Sequence, residues 1–130
     1  MRFLTPALRT EANGYGTDLL VDTDIFIDHL RGARELVPGR HRLHSSVITR
    51  AELVAGNSVT DAVNMLLAPF REIAVDRNIA ERAGRIRRES GTRLPDALIA
   101  ATTLENNLSL VTRNVSDFDN IRRLRLKSLT

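Results

Sequence analysis

Cysteine is missing from the 130-residue chain, and so is tryptophan. Without a thiol there is no disulfide scaffold, no thiolate metal site and no cysteine nucleophile. That absence suits a reducing cytosol, and a cytoplasmic location is the expectation. No apolar run approaches the ~18 residues of a membrane span, so no membrane association is expected. Arg2 and Arg9 stand near the start with no apolar stretch of the kind a signal peptide needs. Aromatics make up only 4% of the chain, which leaves Leu, Ile, Val and Ala to build a core. Lysine occurs once, at Lys127, so the net charge of +3 is carried almost wholly by arginine. Arginine forks bind phosphate at two points, which makes an anionic polymer a permissible partner. An excess this small does not by itself make a nucleic-acid binder.

What is present fits one ordinary folded domain, with 42% hydrophobic and 27% charged residues. Residues 1–17 hold Pro6, Gly14 and Gly16 and no sustained period, which predicts a flexible lead before a domain over 18–130. "DLLVD" reads as a short strand, and "TDIFIDHLRG" as a short helix stopped by Gly32. "ARELVPG" ends on a Pro-Gly breaker. "HRLHSSVIT" predicts a second strand. The segment from Arg50 to Phe70 predicts two helical pieces, divided near Gly56–Ser58. "REIAVD" is a third strand. "RNIAERAGRIRRES" has Ile79, Ala80, Ala83 and Ile86 on one side and closes at Gly91. "LPDALIAATTLENN" predicts a helix whose Ala97, Ala100 and Ala101 permit close packing on a sheet. "LSLVT" is a fourth strand, "SDFDNI" a turn or short helix, and "RRLRLKSL" alternates as an edge strand would. Strands alternating with helices give the class: α/β, a mainly parallel sheet flanked by helices on both faces. Ligands in such sheets bind at the carboxyl ends of the strands, where strand order reverses.

Acids gather at those predicted ends. Asp22 follows the first strand, Glu52 comes shortly after the second, Asp96 opens the helix before the fourth, and Asn114 and Asp117 follow the fourth. Each has a local reading. Asp22 and Asp24 suit a helix start. Thr49 to Glu52 has the form of a capping box. Asp96 after Pro95 is normal first-turn composition, and Ser116–Asp117 could cap another turn. Taken together, four carboxylates on one rim repel one another unless a cation lies among them. A hard divalent ion with oxygen ligands, such as Mg²⁺ or Mn²⁺, would relieve that repulsion.

The order and spacing of "LLVDTDIFIDHLRG", "HSSVITRAELVAG" and "RLPDALIAATTLENNLSLVTRNVSDFDNI" resemble the PIN-domain ribonucleases, and among them the VapC-type toxins of bacterial toxin–antitoxin pairs. The likeness covers roughly residues 18 to 128. It implies a PIN domain over 18–130, an α/β/α sandwich, and a Mg²⁺-dependent endoribonuclease that hydrolyses phosphodiester bonds, with Mn²⁺ as a substitute. It maps Asp22, Glu52, Asp96 and Asp117 onto the catalytic acids, with Asp22, Asp96 and Asp117 as metal ligands. Thr112 and Asn114 fall in supporting positions, Asp24 in an optional one, and Asp28 on a frequent acid outside the quartet. The likeness further implies an RNA substrate, a cognate VapB-type antitoxin and a homodimer, with a groove around Leu30, Leu53, Val54, Val63 and Leu66. Arg50 and Arg113 are nearest in sequence to the acids and are the first candidates to guide RNA, with Arg87, Arg88 and Arg93 behind them.

Other readings fit parts of the chain. "DTDIF" is similar to the Asp-x-Asp start of haloacid-dehalogenase-like phosphatases, with Asp22 as nucleophile and Asp24 as general acid. That chemistry wants a positive side chain at the site, and Lys127 lies in the last predicted strand. A receiver-type signalling domain lacks the same lysine. A non-catalytic PIN-like binding module is the remaining alternative, against which the full acid set speaks.

Overall fold

The structure, a computed structural model, describes residues 18–32, 41–56 and 58–128. The N-terminal lead and the Pro-Gly breaker expected from the sequence lie outside those residues. Five strands form one sheet: β1 (Asp18–Val21), β2 (Arg42–Ser46), β3 (Arg71–Ile73), β4 (Ser109–Thr112) and β5 (Leu126–Ser128). Their order is β3-β2-β1-β4-β5, and every neighbouring pair is parallel. The helices are α1 (Thr23–Leu30), α2 (Val47–Ala55), α3 (Thr60–Leu67), α4 (Arg77–Ser90) and α5 (Leu94–Glu105), with a 3-10 turn at Val115–Asp117.

The central strands β1 and β4 are buried on both faces, which is why they read as unbroken apolar runs. Alternation along them divides the core in two. Leu20 and Leu110 face α4 and α5, packing with Ala97, Ile99, Ala100 and Phe118. Leu19, Val21 and Val111 face the other way, onto Phe26, Leu53 and Val63 of α1 to α3. The result is an α/β/α sandwich. Helix α5 is buried on most sides, and its alanines let it lie close to the sheet.

Several local expectations fail. The second strand stops at Ser46 rather than running on to Thr49, and α2 begins at once. Ser46 is the N-cap, its Oγ accepting from the Ile48 N–H at 3.0 Å. The Thr49 capping box therefore does not form, because an acceptor already stands three residues earlier and Thr49 is drawn inside the fold. "RRLRLKSL" forms a strand only over Leu126–Ser128; Arg122 and Arg123 lie in a turn. Helix α4 buries Ile79, Ala83 and Ile86 but leaves Ala80 exposed. It ends at Gly91, whose φ of 73° is the left-handed C-terminal conformation glycine supplies cheaply.

From β1 the chain steps outward through β2 to β3, then returns to the other side of β1 to lay down β4 and β5. The strand order thus reverses between β1 and β4, and a crevice opens at their carboxyl ends. Asp22 and Thr112 are the residues at that point.

Candidate active site

Helix α1 starts without any linker after β1, so Asp22 is both the strand's last neighbour and the helix N-cap. Its backbone N–H still donates to Val111 O at 2.9 Å, continuing the sheet. One carboxylate oxygen accepts from the Thr23 N–H at 2.9 Å and the other from the Thr112 hydroxyl at 2.9 Å. The local capping reading and the chemical reading are both satisfied by one side chain. Asp22 is only 5% exposed. Burial, then the nearby Asp24 charge, push its carboxyl up to about 7, against the pull of the Thr112 and Thr23 hydrogen bonds.

Glu52 reaches the site from the second turn of α2. Its Oε1 accepts from the Thr23 hydroxyl at 2.7 Å, and that hydroxyl lies 2.8 Å from the Thr49 hydroxyl. Thr23 has one hydroxyl proton and gives it to Glu52, so it accepts from Thr49. Thr23 and Thr49 were not expected here. A threonine after an N-cap is ordinary composition, and the only hint was its place between two acids. Thr23→Val keeps the shape and removes the donor. On the nuclease activity that the sequence resemblance implies, cleavage by that variant should fall about tenfold in kcat with the fold retained, and Thr23→Ser should restore most of it. Steady-state kinetics on the three proteins decide the point; equal kcat for Thr23→Val and wild type would remove Thr23 from the site.

Asp24 stays at the rim because α1 has made less than one turn when it arrives. It is 9% exposed. Its Oδ2 accepts from the Asn114 amide at 2.7 Å, while Oδ1 is buried with no hydrogen-bond partner. Burial raises its carboxyl above the usual range, opposed chiefly by the Arg113 guanidinium. Arg113 itself is tied to buried Asp28 at 2.6 Å and lies 3.9 Å from Asp24. Asp28 is therefore a strut for Arg113 rather than part of the cavity lining. The Asn114 N–H closes a turn onto Thr112 Oγ1 at 3.0 Å.

Asp96 in the first turn of α5 points back to the same rim, as expected for a helix antiparallel to the strands. Burial raises its carboxyl, Arg93 at 3.9 Å lowers it, and Asp117, Glu52 and Asp24 each raise it. Asp117, exposed at the end of the 3-10 turn, joins the group because Phe118 behind it is anchored in the core. Asp22, Asp24, Glu52, Asp96 and Asp117 thus line one open cavity of about 500 Å³, with Arg93 as its one cationic lining residue. Arg50 and Arg113 are not in that lining: Arg50 is held by Glu72 and Asn64, each at 2.6 Å. Arg87 is likewise committed, donating to Gly91 O and Thr92 O.

Five carboxylates facing one arginine call for a cation. Among the described residues, no three Asp, Glu or His side chains are drawn together as direct ligands of one ion. That spacing does not fit a dehydrated, zinc-like site. It leaves room for a divalent ion that keeps most of its waters and takes one or two carboxylates directly.

Comparison with known proteins bears on the family and the fold. The PIN domain family model matches residues 19–124. Ribonuclease VapC10 of Mycobacterium tuberculosis is 42% identical over 120 residues, spanning 82% of this chain and 90% of that protein. Among solved structures, a toxin–antitoxin complex from Klebsiella pneumoniae contains a chain 33% identical to this one, with a TM-score of 0.66 over 86% of this chain and 96% of that one. A chain of the VapBC2 structure from Rickettsia felis superposes with a TM-score of 0.72 over 87% of this chain and 99% of that one, at 20% identity, a likeness of fold alone.

Proposed function

The chain belongs to the PIN domain family, and on that footing we propose that it is the endoribonuclease toxin of a type II toxin–antitoxin pair. The observation that carries the chemistry is the cavity at the β1–β4 switch point, where five carboxylates meet one arginine. Asp22, Asp96 and Asp117 hold Mg²⁺, directly or through water, and Glu52 completes the acidic cup; Mn²⁺ is a substitute. A bound ion supplies an acidified water and a positive charge opposite a phosphoryl oxygen. Thr112 and Thr23 fix the Asp22 carboxylate, Thr23 also fixes Glu52, and Asn114 fixes Asp24. These bonds hold the acids in place before substrate arrives, so little reorganisation is needed when charge develops.

The phosphatase reading is set aside on the family and on geometry. Lys127 lies in edge strand β5, outside the cavity lining.

The partner in this reading is a VapB-type antitoxin; the Klebsiella structure, a toxin–antitoxin complex, supports an antitoxin as partner. Its groove is narrower than the sequence suggested. Leu53 and Val63 are core, whereas Leu30 and Val54 are 41% and 42% exposed. Leu30, with Ile27 and Leu53 at the floor, lines a small cleft between α1 and α2. A homodimer is part of the same proposal. No helix among the described residues is long and apolar enough to cross a membrane.

The test is direct. Purified protein incubated with total RNA and Mg²⁺ should cut it at discrete sites, and EDTA should stop the cutting. RNA left intact across a range of divalent ions, by protein shown to be folded, would refute the ribonuclease reading.

A further inference from the structure

We propose that the cleft between α4 and the turn before β5 is the track along which the RNA backbone enters the acidic cavity; the inference rests on the ribonuclease reading above. An acidic cup repels a polyanion, so positive charge must lie beside it to hold the strand. Arg93, the one arginine in the cavity lining, already faces Asp96 at 3.9 Å, and Arg50, Arg113 and Arg87 are committed to partners within the fold.

The second cleft, of about 330 Å³, has the opposite character. Its charged lining is Arg82, Arg85, Arg122 and Arg123 against the single Glu89. Arg82 is paired with Glu105 at 2.6 Å. Arg85, Arg122 and Arg123 are exposed and make no ion pair or hydrogen bond among the described residues. The two clefts adjoin: Ser90 and Asn120 line both, and the Asn120 amide donates to Ser90 O at 3.1 Å. A strand lying over Ser90 and Asn120 would place one phosphate at the acids and the next ones over the arginines.

The backbone adds an independent sign. Arg123 has a φ of 69°, a left-handed conformation that costs a side chain such as arginine free energy and that glycine or asparagine adopts more readily. Neighbouring Ile121 is 7% exposed and anchors the turn in the core. The turn thus seats an apolar residue inward and leaves Arg122 and Arg123 exposed, Arg123 in the unfavourable conformation. Strained residues of this kind gather at binding sites.

The experiment compares Arg85→Gln/Arg122→Gln with a charge-matched control, Arg71→Gln/Arg77→Gln. The control removes two exposed arginines outside the lining of both clefts, Arg77 lying at the opposite end of α4 from Ser90. Binding of a fluorescent single-stranded oligoribonucleotide is measured against salt in an Asp22→Asn background with Mg²⁺ present. Cleavage by the otherwise wild-type versions is measured in parallel. The cleft variant should bind about tenfold more weakly at 0.1 M salt, with the salt slope reduced by about 1.4 in log–log units. Its cleavage loss should fall in KM, and the control should stay within twofold of the parent. Equal losses in both variants would overturn the track, as general charge would then explain binding. So would unchanged RNA binding in a cleft variant that sediments as a smaller species, which would make the face a contact between copies. Active parent protein with an unaffected cleft variant refutes the track alone. Parent protein that neither binds nor cuts RNA refutes the ribonuclease reading and the track together.

Discussion

Asp22→Asn is expected to lower RNA cleavage by at least about a hundredfold and, in the same protein without metal, to raise the melting temperature at pH 8. Both effects have one cause. The Asp22 carboxyl sits near 7 in the fold and near 3.8 in the free chain. Between those values the unfolded chain has lost the proton and the folded one keeps it. Stability therefore falls as pH rises from about 4 to about 7 and is flat above that. At 1.36 kcal/mol for each pH unit between the two values, the loss has a ceiling of about 4 kcal/mol. Asparagine carries no charge and escapes it. Its Oδ1 can still accept from the Thr23 N–H, and its amide can donate to Thr112 Oγ1. The Thr112 hydroxyl proton then loses its acceptor, at a cost of about 1 kcal/mol. The balance predicts a variant several degrees more stable than the parent at pH 8 and no better at pH 4. Thermal melts in EDTA, with cleavage assays in Mg²⁺, measure both halves. Asp61→Asn, at an exposed position on α3, should leave both unchanged. Retained cleavage in Asp22→Asn, or a lower melting temperature at pH 8, would remove Asp22 from the role proposed for it.

How far the site could be read from sequence follows from how each residue reaches it. Asp22 was legible because a buried run that ends on an acid is a local signal. Asp96 was legible because Pro95 marks the start of a helix whose direction the α/β alternation dictates. Glu52 reaches the expected rim although its helix starts earlier than its sequence suggests, since moving that start from Thr49 to Ser46 does not change where the residue lies in space. Arg113 shows what adjacency in sequence hides. Strand alternation sends Leu110 and Thr112 to one face and Val111 and Arg113 to the other. Thr112 therefore meets Asp22, and Arg113 meets Asp28 on α1. Asp24 reads as helix-start composition if a loop separates β1 from α1. None exists, so the residue remains in the cavity lining. The hydroxyl chain from Thr49 through Thr23 to Glu52 joins positions 26 and 29 residues apart. Nothing in either segment alone marks it.

The same buried charge fixes a second large effect, on metal affinity. An ion among these carboxylates must displace the proton that Asp22 holds near neutrality. Below pH 7 the apparent affinity for Mg²⁺ should therefore rise about tenfold per pH unit for each proton displaced, and level off above it. Asp24 and Asp96 are raised as well, which steepens the rise beyond one proton at the acidic end. Calorimetric titration at pH 6 in two buffers of different ionisation enthalpy should show about one proton released per ion bound, falling towards zero by pH 8. Stability should move in step: Mg²⁺ should raise the melting temperature more at pH 8, where the bare carboxylates repel, than at pH 6, where protons already relieve the repulsion. In the Asp22→Asn protein the proton release near neutrality should largely vanish. An affinity independent of pH between 6 and 8 would mean that the ion binds away from Asp22. The burial that destabilises the metal-free fold is, on this account, what gives a hydrated cation its hold on so open a cavity. It follows that optimising this rim for stability alone, by neutralising Asp22, Asp24 or Asp96, should steadily weaken metal binding.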